Sequence, residues 1–221
     1  MKSKEIKKWN EAKACMGRDT VTLGPHYTYV LKNLPRRLLF VLSRYKFAAK
    51  IIGQGKDIIE VGCSEGFGTN ILMEEARRVV AVDFDIDAIA CAKVSFTSNK
   101  VQFMIADIMK ERIGSFDAAV ALDVIEHIYP SNEKKFLMSI CANLKPYGLA
   151  VIGTPNKTAG VYASKTSKLS HVNVYTAQRL RDSLSRYFHQ VMIFSANDEV
   201  VHTGFYPMAH YLIGVGIARR S

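Results

Sequence analysis

The segment Asp57-Ile-Ile-Glu-Val-Gly-Cys-Ser-Glu-Gly-Phe-Gly68 carries the first recognisable chemistry of this 221-residue sequence. Residues 57–61 are apolar and β-branched around one acid, Glu60, which predicts a short buried strand. Gly62, Gly66 and Gly68 follow, and then a helix-like run over 69–76. A strand, a glycine-rich turn and a helix start let a ligand approach the backbone closely. Glu60 stands at the strand's carboxyl end, where open parallel sheets bind ligands, and an acid there suits a cationic group better than a pyrophosphate. The glycine spacing, G-x-x-x-G-x-G, also differs from the dinucleotide pattern G-x-G-x-x-G. Asp83 closes a second strand, Val79-Val-Ala-Val-Asp83, and can accept two hydrogen bonds from ribose hydroxyls, a device that dehydrogenases share. Phe84, next in the chain, can meet an adenine face. The plainer alternatives are a turn that merely packs a helix on a strand, and a helix-capping role for Asp83 beside Asp85 and Asp87.

The first of these segments resembles motif I of the class I S-adenosylmethionine-dependent methyltransferases, E-x-G-x-G-x-G. Glu60, Gly62 and Gly66 are in register, and Ser64 stands at the usual middle glycine. Asp107, closing Val101-Gln-Phe-Met-Ile-Ala-Asp107, matches the family's acid for the adenine amino group, with Ile108 flanking the ring. Phe116-Asp-Ala-Ala-Val-Ala-Leu-Asp-Val-Ile-Glu-His-Ile128 and Leu144-Lys-Pro-Tyr-Gly-Leu-Ala-Val-Ile-Gly-Thr-Pro-Asn156 are similar to segments of its ubiquinone-biosynthesis-type small-molecule members. Tyr147 departs from a usual glycine there. The resemblance covers about residues 56–156 and, more loosely, 171–188. It implies S-adenosyl-L-methionine as cofactor, with Cys63 and Asp123 joining Glu60, Gly62, Gly66, Asp83, Phe84, Asp107 and Ile108 in its binding set.

S-adenosylmethionine brings the hard chemistry in its sulfonium methyl. The protein must hold acceptor, methyl and leaving sulfur in line, and an oxygen or nitrogen acceptor must also lose a proton. His127, after the fourth strand, and His171, in Ser170-His-Val-Asn-Val-Tyr175, are the candidate catalytic residues on that rim, and either could instead orient substrate or serve structure. From the N-terminal region, Arg18, His26, Tyr27 and Arg44 are candidates for substrate or for the cofactor carboxylate. The expected reaction is methylation of a small molecule, at oxygen by preference, and the substrate is anionic, such as a phosphorylated or nucleotide-linked sugar or an acidic metabolite. An RNA methyltransferase is the alternative, prompted by the basic N-terminus. Against it, strand four continues into Asp-Val-Ile-Glu-His and not into the Asn/Asp-Pro-Pro-Tyr loop that holds a flipped base. A nicotinamide-dependent oxidoreductase and a non-catalytic cofactor-binding protein are more distant readings.

Positioning these groups requires strand–helix alternation, and the sequence supplies it. Strands are expected at 57–61, 78–83, 101–106, 116–122 and 148–153, with helices at about 66–76, 86–97 and 131–144. Two closing strands, 189–195 and 211–218, follow a loop over 156–170 and a helix capped by Thr176. This is an α/β, doubly wound, Rossmann-like fold with a mostly parallel seven-stranded sheet. Residues 1–55 read as an N-terminal helical cap and 56–221 as the methyltransferase domain, with 156–221 on the substrate side. In the cap, Leu38, Val41, Leu42, Tyr45, Ala49 and Ile52 recur at helical spacing, with Arg44, Phe40 and Phe47 on the opposite face.

The net charge is +10, unevenly spread: Lys and Arg outnumber Asp and Glu by 12 to 3 in residues 1–50 and by 8 to 3 after residue 150, while residues 51–150 hold 10 against 14. Basic ends around an acidic centre suggest an anionic partner, or simply a solvated lysine-rich N-terminus. The four cysteines are scattered, without zinc-ligand spacing, so a reduced cytoplasmic protein without a metal is expected. No apolar run approaches the ~20 residues that span a bilayer, and no signal peptide is visible.

Overall fold

The computed structural model describes residues 3–17 and 20–220. Eight strands form one sheet: β1 (Asp57–Val61), β2 (Arg78–Asp83), β3 (Val101–Ile105), β4 (Phe116–Leu122), β5 (Leu144–Pro155), β6 (Phe188–Asn197), β7 (Val200–His202) and β8 (Tyr211–Arg219). Their order is β3-β2-β1-β4-β5-β8-β6-β7. The first five strands pair in parallel and the last three join antiparallel. The expected count of seven is therefore corrected to eight. The extra strand, β7, spans three residues at the sheet edge, too few for an alternation pattern to register.

Successive residues of the inner strands face opposite sides, which sorts the core into two clusters. Ile58, Val79, Ala81, Ala118 and Val120 pack under α3 (Arg36–Ile52), α4 (Thr69–Glu75) and α5 (Ile86–Ser95). Ile59, Val80, Val82, Ala119 and Ala121 pack with α6 (Glu133–Ala142) and α8 (Ala177–Ser185) on the other side. This is a doubly wound sandwich, whose parallel strands, buried on both faces, are near-continuous apolar runs.

The N-terminal region is helical: α1 (Ser3–Met16), α2 (Pro25–Asn33), then α3. Helix α1 buries none of its residues. Helix α2 starts at Pro25, which needs no amide donor at a helix start. Helix α3 buries Tyr45, Ala48, Ala49 and Ile52 and belongs to a core layer. The segment 156–170, read as a loop, contains a short 3-10 turn and α7 (Lys165–Ser170), capped by the Ser164 hydroxyl. Among the described residues no helix is long and apolar enough to cross a membrane.

Candidate functional site

The glycine turn is built by backbone geometry. Gly62 and Gly66 both have φ near +77°, and Ser64 between them has φ +49°, the left-handed region that glycine tolerates best. Ser64 thus occupies a position whose conformation favours the family's usual glycine. A Cβ on Gly62 would lie 2.5 Å from Val124 Cγ2, and one on Gly66 would lie 2.9 Å from the Phe103 ring. At Gly68 a Cβ would run into the Tyr45 ring, so the third glycine admits α3 against the turn.

Tyr45 reaches from α3 to donate its hydroxyl to Glu60 Oε1 at 2.8 Å. The Glu60 carboxyl is 1% exposed, and its Oε2 has no hydrogen-bond partner. Burial pushes its pKa up to about 7, and the Thr69 and Tyr45 hydroxyls offset only part of that rise. Glu65 does different work. Its Oε1 and Oε2 accept the His26 and Tyr27 amides at 2.7 and 3.0 Å, so an acid of the turn caps α2. Sequence reasoning missed both partnerships, because Tyr45 and Glu65 act across 15 and 38–39 residues of chain.

A cleft of about 720 Å³ opens at the carboxyl ends of β1, β4 and β5, between α2–α3 and the 156–171 segment. Gly62, Cys63 and Ser64 line one side. Arg44, Asp123, His127 and His171 line another, with His26 and Tyr27 contributed by α2, and Arg37, Lys157 and Lys168 add positive charge to the lining. Cys63 is buried, and its thiol pKa is driven up chiefly by that burial.

Arg44, read as opposite the apolar face of α3, turns into the cleft. Its Nη1 lies 3.3 and 3.2 Å from the two Asp123 oxygens, and its guanidinium carbon sits 3.6 Å from the Tyr211 ring centre. Asp123, at φ +58°, donates its amide to the Tyr211 hydroxyl at 3.1 Å. These two expected cofactor contacts are thus partners of each other.

Glu126 is 1% exposed, and neither carboxyl oxygen has a hydrogen-bond partner. The Thr154 hydroxyl, also without a hydrogen bond of good geometry, and the Glu126 backbone amide lie close enough to the carboxyl to favour its charged form in part. Burial, and then the Asp123 charge, raise the Glu126 pKa well above the usual carboxylate range. The Glu126 carbonyl accepts the Val172 and Asn173 amides at 2.9 and 3.0 Å, docking the segment that carries His171. The His127 and His171 rings therefore meet, with centroids 5.0 Å apart. His127 Nδ1 lies 3.0 Å from the Ser170 carbonyl, and His171 has its pKa lowered by burial and then by His127.

The remaining expected residues lie outside the lining of this cleft. Asp83 Oδ2 accepts the Ser64 amide at 2.8 Å and its Oδ1 accepts the Asp85 amide at 3.0 Å, tying the end of β2 to the glycine turn. Phe84 is 80% exposed. Asp107 Oδ1 accepts the Met109 amide at 2.9 Å, with Lys110 Nζ 3.4 Å from Oδ2. Ile108 is buried in the core cluster under α6 and is not presented to solvent. Of the N-terminal candidates, Arg18 lies outside the described residues.

Comparison with known proteins fits this geometry. Residues 59–152 match the family described as "Methyltransferase domain". The chain is 32% identical over 104 residues to a probable S-adenosylmethionine-dependent methyltransferase of Mycobacterium tuberculosis (strain CDC 1551 / Oshkosh), covering 46% of this chain and 36% of that protein. It is 30% identical over 131 residues to a ubiquinone biosynthesis O-methyltransferase of Rickettsia bellii (strain OSU 85-389), covering 58% and 53%. The matched part thus spans about half or less of these relatives' length. Among solved structures, the N-methyltransferase NodS from Bradyrhizobium japonicum WM9 in complex with S-adenosyl-L-homocysteine is similar in fold, with a TM-score of 0.60 at 17% identity, covering 83% of this chain and 86% of that one. The DhpI–SAH complex has a TM-score of 0.63 at 16% identity, covering 86% and 89%. Residues 59–152 are thus similar to S-adenosylmethionine-dependent methyltransferases in sequence, and the chain shares their fold.

Proposed function

We propose that this protein transfers the methyl group of S-adenosylmethionine to an oxygen of an anionic small molecule. The observation that carries this reading is a single cleft with the glycine turn on one side and His127 and His171 on the other. The residues of the turn fit the cofactor. The Glu60 Oε2 without a hydrogen-bond partner is an acceptor for a cationic group, and the positive φ of Gly62 and Gly66 holds the turn that carries Cys63 and Ser64 into the cleft. Asp83 and Asp107 stand at the ends of β2 and β3 for the ribose and the adenine amino group, with Phe84 exposed beside them to flank the base. When bound, the cofactor supplies an electrophilic methyl.

The chain's own groups do the rest. Arg37, Lys157 and Lys168 add positive charge to the cleft lining and draw an acid or phosphate toward it. Tyr27, Val30 and Phe40 wall the cleft from α2 and α3 and limit water near the transfer path. His127 and His171 place imidazole nitrogens on the acceptor side, where a hydroxyl must be oriented and deprotonated. The name of the rickettsial relative, an O-methyltransferase, supports oxygen as the acceptor atom.

The test is to incubate the protein with methyl-labelled cofactor and either pooled anionic metabolites or RNA. Label in an oxygen ether or ester of the metabolite fraction is the expected result. Label confined to RNA overturns the small-molecule reading, and label on nitrogen overturns the choice of oxygen.

A further inference from the structure

Sequence spacing gives no metal motif, yet the fold gathers one. Donor atoms of Glu126, His127 and His171 all lie within 4.8 Å of one another at the wall of the cleft. We propose that these three residues are ligands of a divalent transition-metal ion whose open positions face the cleft and hold the acceptor oxygen. The acceptor half of this statement rests on the methyl-transfer reading; the ion-binding half does not.

Four observations lead there. First, the buried Glu126 carboxyl has two oxygens without a partner, and buried polar groups are seldom left so unless an ion or water completes them. Arg44, whose charge acts on Glu126, is committed to Asp123. Second, the Ser170 carbonyl can only accept, so the His127 nitrogen 3.0 Å away, Nδ1, carries the proton. Nε2 is then left with its lone pair, the outer-partner arrangement typical of a ligating histidine. Third, His171 is brought there by construction: the Val172 and Asn173 amides both bond to the Glu126 carbonyl. A few rotations close the set, because bonds of about 2.1 Å require donors roughly 3.4 Å apart in a tetrahedral site.

The fourth is composition. Two imidazoles and one carboxylate suit zinc, iron, cobalt or manganese better than magnesium or calcium, which prefer all-oxygen shells. Three protein ligands with free positions are the pattern of a reacting site, since structural zinc sites use four. His127 is exposed and His171 half-buried on the cleft side, so those positions meet the substrate space. A hydroxyl coordinated there loses its proton to solvent water more readily, with the ion lowering its pKa as metals lower that of bound water. The imidazole lone pairs are then spent on the ion, and the proton need not pass to a ring nitrogen.

The experiment is titration of the metal-stripped full chain with Co²⁺ and with Zn²⁺, without cofactor or acceptor. Visible absorption of Co²⁺ and calorimetry are the readouts. One equivalent binding, with cobalt bands of a low-symmetry nitrogen–oxygen site, is expected. His127→Ala and His171→Ala should each weaken binding by at least roughly 100-fold, more than the loss of an outer partner costs. Glu126→Gln keeps shape, and should fold and be at least as stable without metal while losing cobalt affinity. Absence of binding overturns the site, as does binding that survives any one of the three substitutions in a folded variant. If cobalt binds as expected but no methyl reaches oxygen, the site stands and the proposed reaction fails.

Discussion

Glu60 shows how one buried residue ties folding to pH. Its pKa of about 7 in the fold stands above its ordinary 4.5. The folded chain therefore holds the proton more tightly, so this group's contribution to stability is full below pH 4.5 and is lost as pH rises through 7. The loss is about 3 kcal/mol for an ordinary linkage slope. Chemical denaturation of the ligand-free protein at several pH values should show it, and Glu60→Gln should flatten that window while weakening cofactor affinity. An unchanged pH profile in Glu60→Gln would sink the assignment. At the acceptor side, His171→Asn is expected to lower kcat by ~10²-fold or more with cofactor affinity within a few-fold, measured by turnover beside calorimetry. The residues of the glycine turn and the two histidines were legible in the sequence, because each closes a strand or sits in a recognisable segment. The partnerships were not: Arg44 with Asp123, Tyr45 with Glu60, and Glu126 with its unsatisfied oxygens depend on tertiary placement.

Among the elements, α2 and α3 are fastened to the glycine turn by side chains of both partners. Glu65 caps α2, and Gly68 admits Tyr45 of α3. Glu65→Ala should cost about 1–2 kcal/mol, the range for losing a helix cap, and should raise amide hydrogen exchange over residues 25–33. If exchange there is unchanged, Glu65 does not hold the helix. Gly68→Ala drives a methyl into the Tyr45 ring and should lower the Tm by several degrees through overpacking of typically 1–3 kcal/mol. The βα elements of 57–142 were readable from period and turn signals. Less so were α2, which begins at Gly24-Pro25, a pair that marks turns as readily as helix starts, and the short α7 and β7, whose few residues carry no period.

Over the whole molecule, a parallel sheet buried on both faces leaves its strands' carboxyl ends as the place where backbone turns, acids and histidines meet. The doubly wound class followed from strand–helix alternation alone. The count of eight did not, since the antiparallel end of the sheet is finished by an edge strand of three residues. The uneven charge also finds a place: Arg37, Lys157 and Lys168, drawn from the two basic ends of the chain, border the cleft beside the acidic centre. Replacing Lys157 and Lys168 together by Ala should raise the KM for an anionic acceptor several-fold, with smaller effect at high salt. The class of ligand that fills the cleft remains the claim on which the rest stands, and calorimetry with S-adenosylhomocysteine and with a nicotinamide dinucleotide decides it. The account predicts one equivalent of S-adenosylhomocysteine bound, at least tenfold weaker in Asp83→Ala, and no uptake of the dinucleotide. Tight binding of the dinucleotide with none of the sulfur nucleoside would contradict it.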